Sequence, residues 1–510
     1  MQQAPRSRPA RPLLALTALL ALTPALAQGA PERVVIWSPG DNGSVKDWNK
    51  DPILQAVEKA TNTDIEMVKI GWDVYTDRIN AALASGEVPD VIGTLTPDNY
   101  PLIARMARDG VLAPLEGDVG KAAPNVLALY KTMPGLNDIK VGGKIYGQPV
   151  YWDKGQGLGG TFIYVREDLL RGLGMKAPTT FDEYFRFLSA CSKANKISGV
   201  TFNGGPDFLG TLTAFAGSQG LNIYGWAKTG AGYESPYVQP GMKSALLLFR
   251  RMVATGTVDP GVWEANQDTT RAKFVSGGAC SLIFNGGGHV GRIQNDLDLA
   301  KKGYRALVLP ALSAPGGRRG YNAAPAFWGQ TVITNLRGNH PVAAARVLNY
   351  LASPGGIRLT ALGIKGRDYT ESGGQIRLNA AQRARDGFPA AAGDTGAHPL
   401  ATTIVSWVPQ EWQDFQLLYG KPASFKKWYD AMWANQRRYV VPAVAPLATT
   451  DAWNKFKPTG DELTKQAFVQ IARAPSDAQA TALFDQFVTN WRNAGGAAAQ
   501  ADVSRQITGK

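Results

Sequence analysis

The ten residues from Leu83 to Ile92 constrain this chain most, because they read as a helix end, a turn and a strand in immediate succession. Tyr75 and Ile79 precede Leu83 at helical spacing and predict a helix over 75–85. Gly86 predicts its end, because glycine tolerates the left-handed conformation that closes a helix. The apolar residues that end the stretch begin a short buried strand. A helix followed so directly by a strand indicates an α/β fold with a parallel sheet.

The first residues predict an export signal. Basic Arg6, Arg8 and Arg11 precede an apolar run over 13–22, and Ala25-Leu26-Ala27 forms an A-x-A cleavage site before Gln28. The run is too short for a membrane span, which needs ~20 residues. No cysteine lies near Gln28, so we expect no lipid anchor. Residues 1–27 are therefore predicted to be a signal peptide, and the mature chain to be soluble and periplasmic or secreted.

Composition and charge argue against a disordered chain, and export argues against a nucleic-acid-binding protein. Hydrophobic residues make up 44% and charged residues 19% of the 510 residues, which is typical of a globular chain. The net charge of +13 suggests nucleic acid first, but export argues against that partner. The charge fits a protein near anionic membranes or one that takes anionic ligands. The pairs Arg318-Arg319 and Arg437-Arg438 are interpreted as solvated surface.

The two cysteines, Cys191 and Cys280, leave two alternatives open: a disulfide bond or two buried thiols. Neither has histidine or cysteine neighbours at metal-ligand spacing. The three histidines, at 289, 340 and 398, are scattered and predict no zinc site.

The first third of the chain alternates strands and helices. Val34–Trp37 reads as a strand, 53–60 as a helix and 65–70 as a second strand. This alternation predicts a doubly wound sheet. Ligands bind such sheets beyond the carboxyl ends of the strands, which makes Trp37 and Asp41 candidates for a cleft edge.

Further motifs occur in a fixed order along the chain. Residues 143–149 read G-K-I-Y-G-Q-P, 161–166 predict a strand, and Thr180 with Glu183 forms a helix-capping box. Residues 274–279 read F-V-S-G-G-A before a buried strand at 281–284, and 363–370 read G-I-K-G-R-D-Y-T. With A-S-G-E-V-P-D-V-I, these segments resemble the family 1 extracellular solute-binding proteins of ABC importers, in the lipoprotein-like oligosaccharide-binding branch. Lys365 replaces the glutamate usual in that branch.

The resemblance implies two doubly wound α/β lobes joined by a multi-segment hinge, the type II periplasmic-binding-protein architecture. Lobe 1 is expected over 31–152 and 306–370, and lobe 2 over 153–305 and 371–495. Residues 496–510, with Gly496 and several alanines, are expected to form a flexible tail.

Catalytic and cofactor motifs are weak. Two G-x-G-x-x-G matches occur, at Gly155, Gly157 and Gly160 and at Gly286, Gly288 and Gly291. The first precedes a strand, and the second lacks a downstream acidic residue, so we expect no nucleotide cofactor. Residues 194–199, where the branch often carries a calcium loop, contain no carboxylate, so we expect no metal. Carboxylate neighbours such as Asp182 and Glu183 keep a second hypothesis open, a secreted carbohydrate-acting enzyme (glycoside hydrolase or lyase).

The resemblance favours a monomeric receptor that captures a carbohydrate between its lobes and delivers it to a membrane permease. Aromatic rings would meet the apolar faces of a sugar, and polar side chains its hydroxyls. The candidate ligand-binding residues are Trp37, Asp41, Tyr151, Trp152, Asp153, Asn285, Trp328, Arg367, Tyr369 and Trp407. Neutral and acidic sugars, and other solutes, remain alternatives.

Overall fold

The computed structural model describes most of the chain. The described residues are 29–39, 45–96, 99–151, 160–205, 208–286, 289–323, 327–389, 397–404, 412, 415, 418–419, 421, 423–445 and 447–509.

Fifteen strands form in these ranges. They are β1 Glu32–Pro39, β2 Thr63–Ile70, β3 Val91–Leu95, β4 Gly147–Tyr151, β5 Thr161–Arg166, β6 Ser198–Phe202, β7 Ala227–Thr229, β8 Gly232–Glu234, β9 Ala279–Asn285, β10 Ala306–Val308, β11 Tyr321–Asn322, β12 Phe327–Ile333, β13 Tyr369–Ser372, β14 Gln375–Leu378 and β15 Val440–Val441.

Helices separate most of the strands. The α-helices within the described ranges are α1 Pro52–Thr61, α2 Tyr75–Ser85, α3 Tyr100–Arg108, α4 Gly117–Lys121, α5 Pro124–Thr132, α6 Glu167–Gly172, α7 Phe181–Asn195, α8 Phe208–Thr211, α9 Thr213–Ser218, α10 Pro240–Val253, α11 Gln267–Ser276, α12 His289–Leu299, α13 Pro341–Leu351, α14 Pro354–Leu362, α15 Ala380–Arg385, α16 Pro399–Ile404, α17 Ala423–Arg438, α18 Asp451–Ala472, α19 Asp477–Trp491 and α20 Ala497–Thr508.

The first sheet has five strands in the order β2-β1-β3-β12-β4. Strands β1, β2 and β3 are parallel, and β12 runs antiparallel to both β3 and β4. Helix α2 covers the bounds predicted from its apolar spacing, and Gly86 ends it with a φ of 78°. The local sequence therefore predicted this helix, turn and strand correctly.

The second sheet has four strands in the order β10-β5-β9-β6, with β6 and β9 parallel. Helix α7 packs against it and begins with the predicted capping box of Thr180 and Glu183. Cys191 of α7 and Cys280 of β9 are both fully buried and form a disulfide bond. The structure thus decides between the two alternatives for the cysteines.

Two separate cores support two lobes, but their limits differ from the predicted ones. Strand β10 pairs with β5, so residues 306–323 join the second sheet rather than lobe 1. Phe388 and Leu400 pack in the core of the first sheet, so the predicted change to lobe 2 at residue 371 was wrong. In both cases sheet pairing and apolar packing place the segment, and neither was visible in the local sequence.

The predicted flexible tail at 496–510 was also wrong, because residues 497–508 form helix α20. Ala499 and Val503, four residues apart, are buried on one side of this helix. Ser504 Oγ accepts the backbone N–H of Tyr233 at 2.9 Å, and Gln500 Oε1 accepts that of Ser235 at 3.1 Å. The helix therefore packs beside the β7–β8 hairpin as part of lobe 2.

Within the described ranges, no helix combines the length and apolar character needed to cross a membrane.

Candidate ligand-binding cleft

The carboxyl ends of the strands in both sheets meet at one crossing of the chain. Strand β4 is parallel to β3, so Tyr151 ends at the same edge as Leu95. Strand β5 is antiparallel to β9, so Thr161 begins at the edge where Asn285 ends. The connection at 152–159 therefore joins the two carboxyl edges. Ligands of α/β sheets bind at such edges.

A cavity of about 250 Å³ lies between the lobes near this crossing. One wall is the start of α3, which follows β3 of the first lobe. The other walls belong mostly to the second lobe, although Leu447 packs against the core of the first lobe. The cavity is lined by Tyr100, Pro101, Ile223, Tyr224, Gly225, Trp226, Ser235, Pro236, Tyr237, Leu447, Ala448, Thr449, Trp453, Asn454, Lys457 and Asp461.

Aromatic side chains dominate the cavity. The rings of Trp226 and Trp453 meet edge to face with centroids 4.6 Å apart. Trp226 donates its indole N–H to the carbonyl of Ala448 at 3.0 Å, which fixes its orientation. Across the cleft, Tyr100 donates its hydroxyl to the carbonyl of Lys140 at 3.0 Å. Trp453, Tyr100 and Tyr224 remain half-buried, so parts of their rings are accessible.

Polar groups surround these rings. Lys457 and Asp461 form an ion pair at 2.6 Å, and Thr449 Oγ1 donates to Asn454 Oδ1 at 2.5 Å. The cavity thus combines accessible ring surfaces with hydroxyl, amide and charged groups. This combination suits a polyhydroxylated ligand with apolar C–H faces.

Three segments pack against one another next to the cavity, and residues 223–226 of the first segment line it. We call them the three-segment layer: residues 219–226, 318–323 and 439–444. Asn222 Nδ2 donates to the carbonyls of Ala323 and Val441 at 2.8 and 2.6 Å. Strands β11 and β15 pair in parallel, and the N–H of Trp226 donates to the carbonyl of Val444 at 2.8 Å. The layer is therefore hydrogen-bonded along its length.

Two of the predicted aromatic residues are packed in the interior. Trp37 packs in the core beside α2, and the Arg78 guanidinium lies 5.7 Å from its ring centroid. Tyr369 is 4% exposed and accepts a hydrogen bond from Arg358 at 3.1 Å. Neither ring has a free face for a ligand in this conformation. The strand-end argument placed Trp37 at the correct edge but could not tell which face its side chain takes.

Arg367, whose side chain is partly exposed, forms an ion pair with the buried carboxylate of Asp386 in the first lobe. Its guanidinium binds both carboxylate oxygens of Asp386, and the Nη2 contact measures 2.6 Å. Asp368 is fully buried beside this pair and accepts the N–H of Ile364 at 2.7 Å. Burial and the neighbouring Asp386 carboxylate raise the pKa of Asp368 to about 6. Arg367 thus has a structural role here that sequence reasoning did not foresee.

Of the remaining candidates, three lie within the described residues and four do not. Asn285 is partly exposed at the carboxyl end of β9, as predicted. The backbones of Tyr151 and Trp328 lie in neighbouring strands β4 and β12, where Tyr151 pairs with Phe327. Asp41, Trp152, Asp153 and Trp407 lie outside the described residues.

Sequence reasoning missed the residues that line the cavity. Tyr100 follows β3 closely, so the strand-end rule could have found it. Trp72, 47% exposed just beyond β2, could have been found in the same way. Tyr224, Trp226 and Trp453 follow no predicted strand, and only their convergence in the fold reveals them. In the described ranges, no group of three or more His, Cys, Asp or Glu side chains is placed to hold a metal.

Comparison with known proteins agrees with this geometry. Residues 42–357 match the family described as bacterial extracellular solute-binding protein. The polygalacturonan/rhamnogalacturonan-binding protein YtcQ of Bacillus subtilis is 29% identical over 186 residues, 36% of this chain and 34% of that protein. A second curated relative is matched over 64% of its length, so the chain spans about one third and two thirds of these two relatives.

Solved structures share the fold at low identity. The alginate-binding protein AlgQ2, without calcium ion, has a TM-score of 0.72 and 15% identity, covering 94% of this chain and 99% of that one. The S. pneumoniae ABC-transporter substrate binding protein FusA, in complex with kestose, has a TM-score of 0.68 and 17% identity, covering 94% and 100%. These similarities confirm the type II periplasmic-binding-protein fold. With the family match over most of its length, the chain belongs to the bacterial extracellular solute-binding proteins.

Proposed function

We propose that this protein is the soluble receptor of an ABC importer and that it captures an oligosaccharide between its lobes. The observation that carries the proposal is the aromatic cavity between Tyr100 of the first lobe and Trp453 of the second. The sugars named for YtcQ, AlgQ2 and FusA support the carbohydrate class. We expect the bound sugar to stack on these rings.

Capture requires a ligand that contacts both lobes. A solute that bridges Tyr100 and Trp453 binds the closed conformation more tightly and so increases its population. The connections at 151–160 and 323–327 are the proposed hinge segments, since the chain passes from one sheet to the other there. A membrane permease, powered by a separate ATPase, then receives the solute.

The proposal includes export and a monomeric state. The family is extracellular. We propose cleavage after Ala27 and a periplasmic or secreted mature protein with no nucleic-acid partner. Mass spectrometry of the exported protein would test the cleavage site, and light scattering its monomeric state.

The decisive experiment is calorimetric titration with a panel of neutral and acidic oligosaccharides. Trp453→Ala is expected to weaken the best ligand by roughly tenfold or more, because a stacking face is lost. Tyr100→Ala should weaken the same ligand through the opposite lobe. Trp263→Ala, a partly buried tryptophan packed on the core of the second lobe, is the matched control for loss of an indole. Unchanged affinity in both cavity variants would disprove the site.

Trp152→Ala and Trp328→Ala test two of the aromatic candidates predicted from the sequence. If they reduce affinity as strongly as Trp453→Ala, the binding site extends to the hinge strands. If neither changes affinity, those two assignments are wrong and the cavity alone forms the site.

We further propose that the sugar leaves unaltered. Asp182 and Glu183, the described pair that suggested hydrolysis, are accounted for: Asp182 pairs with Arg251 at 2.6 Å and Glu183 caps α7. Chromatography of each bound oligosaccharide after prolonged incubation tests this directly. Shortened or unsaturated products would instead support the carbohydrate-acting enzyme.

A further inference from the structure

Three long stretches of the chain contain no aspartate or glutamate: residues 208–233, 299–367 and 431–450. With 41 acidic residues among 510, such gaps leave large parts of the chain without negative side chains. Each stretch contributes one segment of the three-segment layer. The fold therefore brings segments without acidic side chains together in a layer that reaches the cavity through residues 223–226.

Two arginine pairs converge at the end of this layer. Strand β11 pairs with β15 in the register Tyr321 to Val440, which places Arg319 beside Arg438. The guanidinium carbons of these two arginines lie 5.8 and 5.5 Å from the centroid of one ring, that of Tyr439. Pairs that look unrelated in the sequence thus form one basic cluster, defined here as Arg318, Arg319, Arg437 and Arg438.

The charge of this cluster is not neutralised within the described structure. Several arginines elsewhere have carboxylate partners, such as Arg250 with Asp477 and Arg305 with Glu167. Among the described residues, no carboxylate lies within ion-pairing distance of the four clustered arginines. Arg318 donates only to a backbone carbonyl, that of Gln219, at 2.5 Å.

The ring of Tyr439 positions two arginines of the cluster for binding an anion. Both guanidiniums lie within cation–π distance of the Tyr439 ring, and a guanidinium offers a planar fork of N–H donors to carboxylate oxygens. Three of the four arginines are exposed and Arg319 is half-buried, so solvent reaches all of them. Planar, pre-oriented guanidiniums suit bidentate recognition of carboxylates.

The three-segment layer connects the cluster to the cavity. Val444 is bonded to Trp226 at the cavity, and Tyr439 lies five residues earlier in the same segment. At ~3.3 Å per extended residue this separation is roughly 16 Å, which exceeds the ~10 Å Debye length at 0.1 M salt. A short ligand in the cavity is therefore largely screened from the arginines, whereas a longer chain along the layer reaches them.

The acidic side chains at and beside the cavity are paired with basic side chains. Lys457 neutralises Asp461, and Glu234, beside the lining residue Ser235, lies 3.9 Å from Arg492. The acidic side chains described at the cavity are therefore paired, whereas the arginines of the cluster have no carboxylate partner among the described residues.

We infer that the captured solute is an acidic oligosaccharide, and that the basic cluster on the three-segment layer recognises its carboxylates. This inference rests on the proposed function and adds the substrate class. A positive charge without neighbouring carboxylates raises the association rate of anionic ligands, and this effect weakens as the salt concentration rises. Affinity for uronate chains should therefore increase with chain length and decrease with ionic strength.

The test titrates the full mature protein with trimers and hexamers of galacturonate, mannuronate and guluronate. Each acid is compared with its methyl ester, which keeps the sugar and removes the charge, and with the neutral trimer kestotriose. We expect at least one acidic hexamer to bind roughly tenfold more tightly than its ester at low salt. Arg319→Gln with Arg438→Gln should remove most of that difference and leave ester binding unchanged.

Arg33→Gln with Arg505→Gln is the control, because it removes two exposed arginines that have carboxylate partners elsewhere. Equal binding of acid and ester, or equal effects of the two double variants, overturns the inference. A neutral sugar that binds best, and is weakened by Trp453→Ala, overturns it while the proposed function stands. Failure of every sugar to bind overturns both.

Discussion

Two charged regions, one in each lobe, differ in whether their charges are paired. In the first lobe, Arg367 and Asp386 pair beside buried Asp368, and fully buried His398 hydrogen-bonds to Asp51 at 3.1 Å. In the second lobe, the basic cluster is accessible and has no carboxylate partner among the described residues. Both regions concentrate charged groups, but only the first satisfies them internally.

This difference separates charges that stabilise the fold from charges that we propose to bind the ligand. A buried charge or polar group without a partner is costly, so removing one member of the first network should destabilise the fold. An exposed cation keeps its hydration and costs little when removed. Stability should therefore report on the first network, and ligand affinity on the second.

The largest effect is expected from Asp51→Ala. Asp51 Oδ1 caps helix α1 by accepting the N–H of Leu54 at 2.7 Å, and its other oxygen meets His398 Nε2. His398 Nδ1 accepts the N–H of Leu400, so Nε2 carries the proton and would lose its acceptor. We expect a loss of about 2–4 kcal/mol in the free energy of unfolding, measured in urea.

Asp47→Ala is the matched control, because Asp47 caps the short turn at 48–50 but is exposed. Its loss should cost less than about 1 kcal/mol. Equal losses in the free energy of unfolding for the two variants would show that the hydrogen bond to His398 contributes no stability beyond that of the helix cap.

A pH-dependent effect of intermediate size is expected from Asp368→Asn. The pKa of Asp368 is raised to about 6, so its protonated form is favoured in the folded state. The associated stability is fully present below pH ~4, where the unfolded chain also holds the proton, and is lost as the pH rises through 6.

Asparagine stays neutral at every pH. The variant should therefore gain about 1–3 kcal/mol relative to wild type between pH 5 and pH 8, measured by urea denaturation at both values. A difference that does not depend on pH would show that Asp368 ionises normally in the folded protein.

The smallest stability effect is expected from Arg319→Gln with Arg438→Gln. Both side chains are accessible and lack a carboxylate partner in the described structure, so the free energy of unfolding should change by less than about 0.5 kcal/mol. A loss as large as that of Asp51→Ala would mean that the cluster is structural and would remove the contrast between the lobes.

Local signals predicted much of this fold. The α2 helix, the capping box of α7 and the strands at 161–166 and 281–284 depend on neighbouring residues, and all formed as expected. The motif resemblance gave the two-lobed architecture and the family, which the comparisons confirm.

Non-local features could not be predicted in the same way. The cavity combines residues near 100, 224 and 453, and no spacing rule relates them. Trp37 was placed at the correct strand end, but whether its ring faces core or cleft depends on packing against α2. The acid-free stretches are visible in the sequence, whereas their convergence depends on the pairing of β11 with β15.

Helix α20 has a consequence for how the protein matures. Its Gln500 and Ser504 complete backbone hydrogen bonds of residues 233–235, which are synthesised more than half a chain earlier. Lobe 2 therefore cannot finish assembling until the ribosome has added the residues up to Thr508. A nascent chain in this unfinished state leaves the backbone N–H groups of Tyr233 and Ser235 without these acceptors.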